Sequence, residues 1–158
     1  MTEQGGSISS ISVRELRSDE FAGAARVWTG YHNTKGDPEH DRIFGVFDHG
    51  ELVSLARCKR HPDGMEVDGV YTPPEFRGRG HAKRAVGALV EACHNDALFM
   101  HSVAHLTAFY AEFGFLAIDE KDLPPTIRER YEFALGNMEG SDVQPMRRPP
   151  GIDRLYPI

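Results

Sequence analysis

Apolar and polar residues alternate through SISVRELR, after a polar opening, and this alternation predicts a first strand. Ser18 and Asp19 then offer caps to a helix whose apolar stripe is Phe21, Ala24, Ala25 and Trp28. YHNTKGDPEHD, rich in Gly, Pro, Asn and Asp, reads as a loop. Three strand patterns follow closely: RIFGVFD and LVSLARCKR flank the short connection HGE, and HPDG turns the chain into MEVDGVYT. That order predicts an antiparallel meander. Pro73 and Pro74 end its third strand, because neither can donate a ladder hydrogen bond.

From about His81 to His94 the period becomes helical, with Val86, Leu89, Val90 and Cys93 on one face. ALFMHSV reads as a buried strand, HLTAFYAEFG as a short helix stopped by Gly114, and FLAIDE as another strand. Leu123 and two prolines introduce TIRERYEFALGN, whose Ile127, Tyr131 and Leu135 repeat at helical spacing. DVQPMRR is a last strand candidate, and its internal proline predicts an edge position. With no repeat, linker or low-complexity tract, the expectation is one α/β domain over residues 1–148, followed by a tail over 149–158.

Composition narrows the class. The chain has 158 residues, 40% hydrophobic and 27% charged, which is ordinary for a globular domain able to bury its own core. A net charge of −6 and the lack of a basic face with interleaved aromatics argue against nucleic-acid binding. Only Cys58 and Cys93 are present, so no disulfide scaffold is expected and a reducing, cytoplasmic setting is. The opening MTEQGGSISS does not read as a signal peptide, and no apolar run approaches the ~20 residues of a membrane span.

The candidate chemistry begins at YTPPEFRGRGHAKRA, Tyr71 to Ala85. Two glycines and several cations sit where a strand gives way to a helix. A helix N-terminus favours anions, Gly78 and Gly80 let a phosphate approach the backbone, and Arg77, Arg79 and Lys83 add positive charge. The same residues also make a tight turn with solvated arginines, and both readings stand at this point. No Gly-Lys-Ser/Thr follows, as a Walker loop requires, and Lys83 occupies the place of the third small residue of a dinucleotide fingerprint.

RGRGHA, Arg77 to Ala82, resembles the Arg/Gln-x-x-Gly-x-Gly/Ala signature of the GNAT superfamily of acyl-CoA-dependent N-acyltransferases. FYAEFGF, Phe109 to Phe115, is similar to that family's tyrosine helix and the Gly-Phe opening its next strand. The two matches come in the family's order, and the element order resembles the family's from about Ser9 to Arg148. The resemblance implies a mixed, mostly antiparallel sheet of six to seven strands flanked by about four helices, with two splayed parallel strands at its centre.

It also implies a function: acetyl transfer from acetyl-CoA to a primary amine by direct attack in a ternary complex. The loop Arg77, Gly78, Arg79, Gly80, His81, Ala82 and Lys83 then holds the pyrophosphate, and Val70, Tyr71 and Thr72 flank the pantetheine arm. Val70 N–H would support the oxyanion and Tyr110 would protonate the leaving thiolate. Glu66, eleven residues before Arg77, matches a glutamate base of some members; Asp68 is the second candidate, acting through water. Two departures stand out: Val103, seven residues before Tyr110, replaces an asparagine common in the family, and His81 is polar where an apolar residue is usual.

Each residue has a plainer reading beside this one. Tyr110 is also a natural core residue of an amphipathic helix, and Glu66 and Asp68 could face solvent on one side of an antiparallel sheet. If Gly69 marks a bulge, their shared face is in question. His32, His40, His49 and His61 fall in apparent turns and His101 on a strand away from His105's helix, so no metal site is expected. The acceptor, a small amine, amino acid or peptide amine, would meet Tyr31, His32, Asp37, Glu39 and Asp41. LPPTIRERYEFALGNMEG exceeds the minimal core and is a candidate pocket wall or homodimer contact. The alternative from another class is an acyl-CoA-binding module without turnover.

Overall fold

The computed structural model describes residues 10–130 and 142–151. The hairpin patterns form as expected. β1 (Ile11–Glu15) runs antiparallel to β2 (Asp41–Asp48), from Ile11 opposite Asp48 to Glu15 opposite Phe44. His49 and Gly50 connect β2 to β3 (Glu51–His61), both with positive φ (51° and 83°), the twist that suits a two-residue hairpin. β4 (Gly64–Tyr71) follows after another short turn, so His61 belongs to β3 rather than to a turn. The sheet order is β1-β2-β3-β4-β5-β7-β6, with β5 at Leu98–Val103, β6 at Leu116–Ala117 and β7 at Val143–Arg148.

The helices are α1 (Phe21–Val27), α2 (His81–Ala92), α3 (Thr107–Ala111) and a helix over 125–130, here α4. Tyr131 and Leu135, expected on the last of these, and residues 152–158 of the tail lie outside the described residues. Among the described residues no helix is long and apolar enough to cross a membrane.

Two expectations need correction. FLAIDE contributes only Leu116–Ala117 as strand, and β7 is not an edge strand, because β6 pairs with its Met146 and Arg147. Pro145 is tolerated there for a geometric reason. Its carbonyl accepts from Ile118 N–H at 3.0 Å, and a strand residue's N–H and C=O point the same way. The missing N–H therefore faces the side on which β6 has just ended.

The chain forms two compact units. The first comprises residues up to Arg57 with Gly69–Leu89; the second comprises Cys58–Asp68 with the residues from Val90 on. Leu16, Ala24, Trp28, Ile43 and Leu55 form a buried cluster in the first, with Phe21, Tyr31, Phe47 and Tyr71 packed against it. In the second, Phe99, Leu123 and Ile127 cluster with Ala97 and Ile118. Burying each of the large apolar side chains contributes roughly 1.5–3 kcal/mol, and the first cluster packs against Tyr71 at the end of β4.

Candidate active site

In the first unit, β4 ends in a distorted stretch. Gly69 has φ +62°, a left-handed backbone, and a Cβ there would lie 2.9 Å from Trp28 Cζ2. Glycine is therefore required at this point. Trp28 is fully buried and its indole N–H donates to the Gly69 carbonyl at 2.9 Å. Arg57 lies over the indole ring, 5.3 Å from its centroid, and donates to Lys35 carbonyl at 3.0 Å. Past the distortion, Ser54 Oγ donates to Tyr71 carbonyl at 3.3 Å and shares a 2.7 Å hydrogen bond with Thr72 Oγ1.

The turn after β4 takes the shape expected of a helix entry. Gly78 and Gly80 have φ of +82° and +79°, and Arg77 through Gly80 are exposed. Gly80 carbonyl accepts from Arg84 N–H at 3.2 Å, so Gly80 is the cap residue just before α2. Nothing lies within 4 Å of a Cβ built on Gly78, which leaves its backbone open to an approaching group. Arg77 folds back to donate to Thr72 carbonyl at 2.7 Å, and its guanidinium lies 5.7 Å from the Tyr71 ring centroid. Arg84, which the sequence reading missed, donates to Arg79 carbonyl at 2.8 Å and braces the turn. Its signal was present: a cation one helical turn past Gly80.

His81 behaves differently from its neighbours. Its side chain is buried, its Nε2 has no hydrogen-bond partner, and burial pushes its pKa down. What His81 offers an incoming group is backbone. Lys83 is exposed and Ala82 half-buried.

The second unit holds the carboxylates. Glu66 is 2% exposed, so it does not face solvent. Its Oε1 accepts from His61 Nε2 at 2.8 Å and from Arg130 Nε at 2.6 Å, while Oε2 lies 3.8 Å from His101 Nε2. Arg130 also donates to Asp68 Oδ2 at 2.8 Å, which brings Glu66 and Asp68 to one cation. The left-handed residue Gly69 comes after both, so the alternation between them survives. His101 Nε2 lies 3.0 Å from Ile127 carbonyl; a carbonyl only accepts, so Nε2 carries the proton. Burial, the largest influence on it, pushes the His101 pKa down despite the Glu66 carboxylate.

Local packing explains how Arg130 gets there. Asp63, in the turn before β4, accepts from Thr126 N–H at 2.9 Å and so caps the start of α4. That hydrogen bond holds the Asp63 carboxyl below its usual range. A Cβ on Gly64 would stand 3.0 Å from Pro124, which shows how closely α4's entry meets the strand. β4 and β5 pair in parallel only at Met65 with Leu98 and Glu66 with Phe99.

Tyr110 sits in α3, 5% exposed, with its ring edge-on to Phe109 and Phe115 at centroid distances of 5.0 and 6.1 Å. Gly114, at φ +94°, ends that segment, and Arg148 of β7 donates to Phe113 carbonyl at 2.7 Å. The ring is thus fixed by packing on several sides.

The acceptor candidates divide. Tyr31 stacks against Tyr71 at 5.3 Å between ring centroids, and His32 is exposed with φ 55°. Asp41 is buried, accepts from Asp37 N–H at 2.7 Å, and lies 3.4 Å from Arg57. From the start of β2 it ties down the loop at Asp37. Asp37, Glu39 and His40 bring ligand-type atoms within 4.8 Å of one another on that loop, where Asp37 is bonded to His40 Nδ1 at 2.7 Å.

Residues 9–115 match the family described as the Acetyltransferase (GNAT) family. The chain belongs to the GNAT family. A curated relative, UPF0039 protein sll0451 of Synechocystis, is 32% identical over 92 residues, covering 53% of this chain and 59% of that protein. This chain thus spans less than two-thirds of that relative. N-acetylglutamate synthase from Neisseria gonorrhoeae, complexed with coenzyme A and L-arginine, aligns with TM-score 0.67 at 18% identity. The alignment covers 89% of this chain and 33% of the synthase. The ribosomal-protein-S18-alanine N-acetyltransferase of Escherichia coli aligns with TM-score 0.62 at 12% identity, over 89% of this chain and 94% of that one. Identities this low show the GNAT fold alone, and the seven-stranded mixed sheet with β4 parallel to β5 agrees with it.

Proposed function

We propose that this chain transfers an acyl group, acetyl by default, from acyl-CoA to an amine bound in the same ternary complex. The observation that carries the reading is the turn before α2. Its two left-handed glycines open the backbone, its arginines are exposed, and a twelve-residue helix starts at its end. Unpaired N–H groups and the helix dipole favour an anion there, which suits a pyrophosphate. Arg77, Arg79 and Lys83 supply the surrounding charge. Family membership and the coenzyme A in the synthase complex support the same donor.

The remaining roles follow from chemistry. Val70, Tyr71 and Thr72 would flank the donor's arm, and Val70 N–H would meet the charge that develops on the thioester oxygen. The amine nitrogen bonds to the carbonyl carbon and the C–S bond breaks. Tyr110 gives its proton to the departing thiolate, and Glu66, or Asp68 through water, takes one from the acceptor ammonium. The acceptor is a small amine, an amino acid or a peptide amine. The two solved relatives named above differ in acceptor by name, so the shared fold does not choose among these.

One observation favours a second reading, an acyl-CoA-binding module without turnover: Glu66 Oε1 already serves both His61 and Arg130. A calorimetric titration with acetyl-CoA, with NADH as control, followed by an amine panel, separates the two. We expect acetyl-CoA alone to bind, the Gly80→Asp variant to lose that binding while staying folded, and at least one amine to be acetylated. Aspartate tolerates left-handed backbone better than most residues, so the variant tests charge at the turn. Normal affinity in Gly80→Asp would remove the turn from the site, and binding without turnover of any amine would select the second reading.

A further inference from the structure

Trp28 is where the structure goes beyond those roles. A peptide unit is planar and trans, so the Gly69 carbonyl and the Val70 N–H lie in one plane and point in opposite directions. Whatever fixes the carbonyl therefore aims the N–H. The carbonyl is fixed by the Trp28 indole N–H at 2.9 Å, inside a fully buried contact. Glycine is the least constrained residue of the chain, and Gly69 with φ +62° has no side chain to hold its own conformation. The indole contact adds a hold from outside the strand. The indole itself is clamped: its ring edge fills the space where a Gly69 Cβ would stand, and Arg57 covers its face at 5.3 Å.

We propose that Trp28 is a positioning residue whose indole N–H aims the Val70 N–H at the reacting carbonyl oxygen. This rests on the reading of Val70 as oxyanion donor. Preorganisation is the reason such a device matters: a donor that must reorient during reaction loses much of its value. Trp28 touches neither donor nor acceptor in this scheme, so its removal changes kcat more than affinity.

The test deletes one atom group. Trp28 is the chain's single tryptophan, so global replacement is site-specific. Benzothienylalanine keeps the bicyclic shape and replaces N–H with sulfur, whereas 5-fluorotryptophan keeps the N–H. With acetyl-CoA and an amine found in the panel, the benzothienyl protein should lose about 10-fold or more in kcat, since loss of a whole oxyanion donor costs about 10²–10³. Its KM for acetyl-CoA should stay within about 3-fold on the view that uniform binding is untouched. The 5-fluorotryptophan protein should retain wild-type kcat. Equal kcat in both proteins, or a loss shared by both, would overturn the proposal.

A second readout keeps this result apart from the fate of the acyltransferase reading. In ¹⁵N-labelled protein the Val70 amide resonance should move in the benzothienyl form and stay in place in the fluoro form. An unmoved Val70 resonance overturns the proposal whether or not any amine is acetylated. A protein in which the resonance moves but no amine reacts retains the positioning contact and loses the acyltransferase reading.

Discussion

Tyr110 shows how much a single residue carries in this reading. Replacing it with Phe removes one oxygen from a ring held by Phe109 and Phe115, so packing should survive. Tyr110→Phe is expected to lower kcat by about 10²-fold or more with little change in acetyl-CoA affinity; an unchanged kcat would rule out the acid role. Gly69→Ala tests the β4 distortion itself. It adds a methyl 2.9 Å from Trp28 Cζ2 on a left-handed backbone, and strained positions of that kind cost about 1–3 kcal/mol each. A urea melt followed by circular dichroism should show a loss in that range, and wild-type stability would mean that the backbone relaxes freely there. At this scale the sequence displayed the residue types but not their partners. Glu66 could be named from the family resemblance, yet Arg130, which bonds it, is 64 residues away in the chain. A contact of that span leaves no local pattern.

Among elements, α4 is the one whose start is tied down by a distant cap. Asp63 satisfies Thr126 N–H, one of the donors that a helix start leaves unpaired. Asp63→Ala should lower the melting temperature, as loss of a helix cap does. It should also raise hydrogen exchange over 125–130 more than in α2; uniform exchange would mean that α4 is held without the cap. Elements were legible where their signals were local. The β2–β3 hairpin has its turn residues beside its strands, and α2 has a glycine at its start and an apolar face. β7 misled because a proline speaks only of a missing donor. It does not say on which side, or whether a neighbour has ended, as β6 has by Ile118. FLAIDE misled in the opposite direction, since its apolar pattern exceeds the two residues that find a partner.

For the molecule as a whole, buried imidazoles set a pH response. His101 and His81 both have pKa values pushed below the ordinary 6.5, burial being the main cause in each. The unfolded chain then binds protons more readily than the folded one, so stability rises with pH through this window. Their contribution is complete above about pH 6.5 and is lost as pH falls through the folded values. The melting temperature should therefore drop as pH falls below about 6.5, and His101→Gln should flatten part of that slope. A slope identical in His101→Gln would place the response elsewhere. The sequence made the sheet class and the family legible because order and spacing of elements survive in a linear string. It could not show that two strands, β3 and β4, supply residues to both compact units, since that depends on which side chains each strand buries. Finally, the Trp28 contact has an optical consequence. All indole emission from this chain comes from one dry ring pressed against the Gly69 peptide. A ligand entering beside Val70 should change the colour or lifetime of that emission, which gives the protein an unlabelled reporter at the place where donor chemistry is expected.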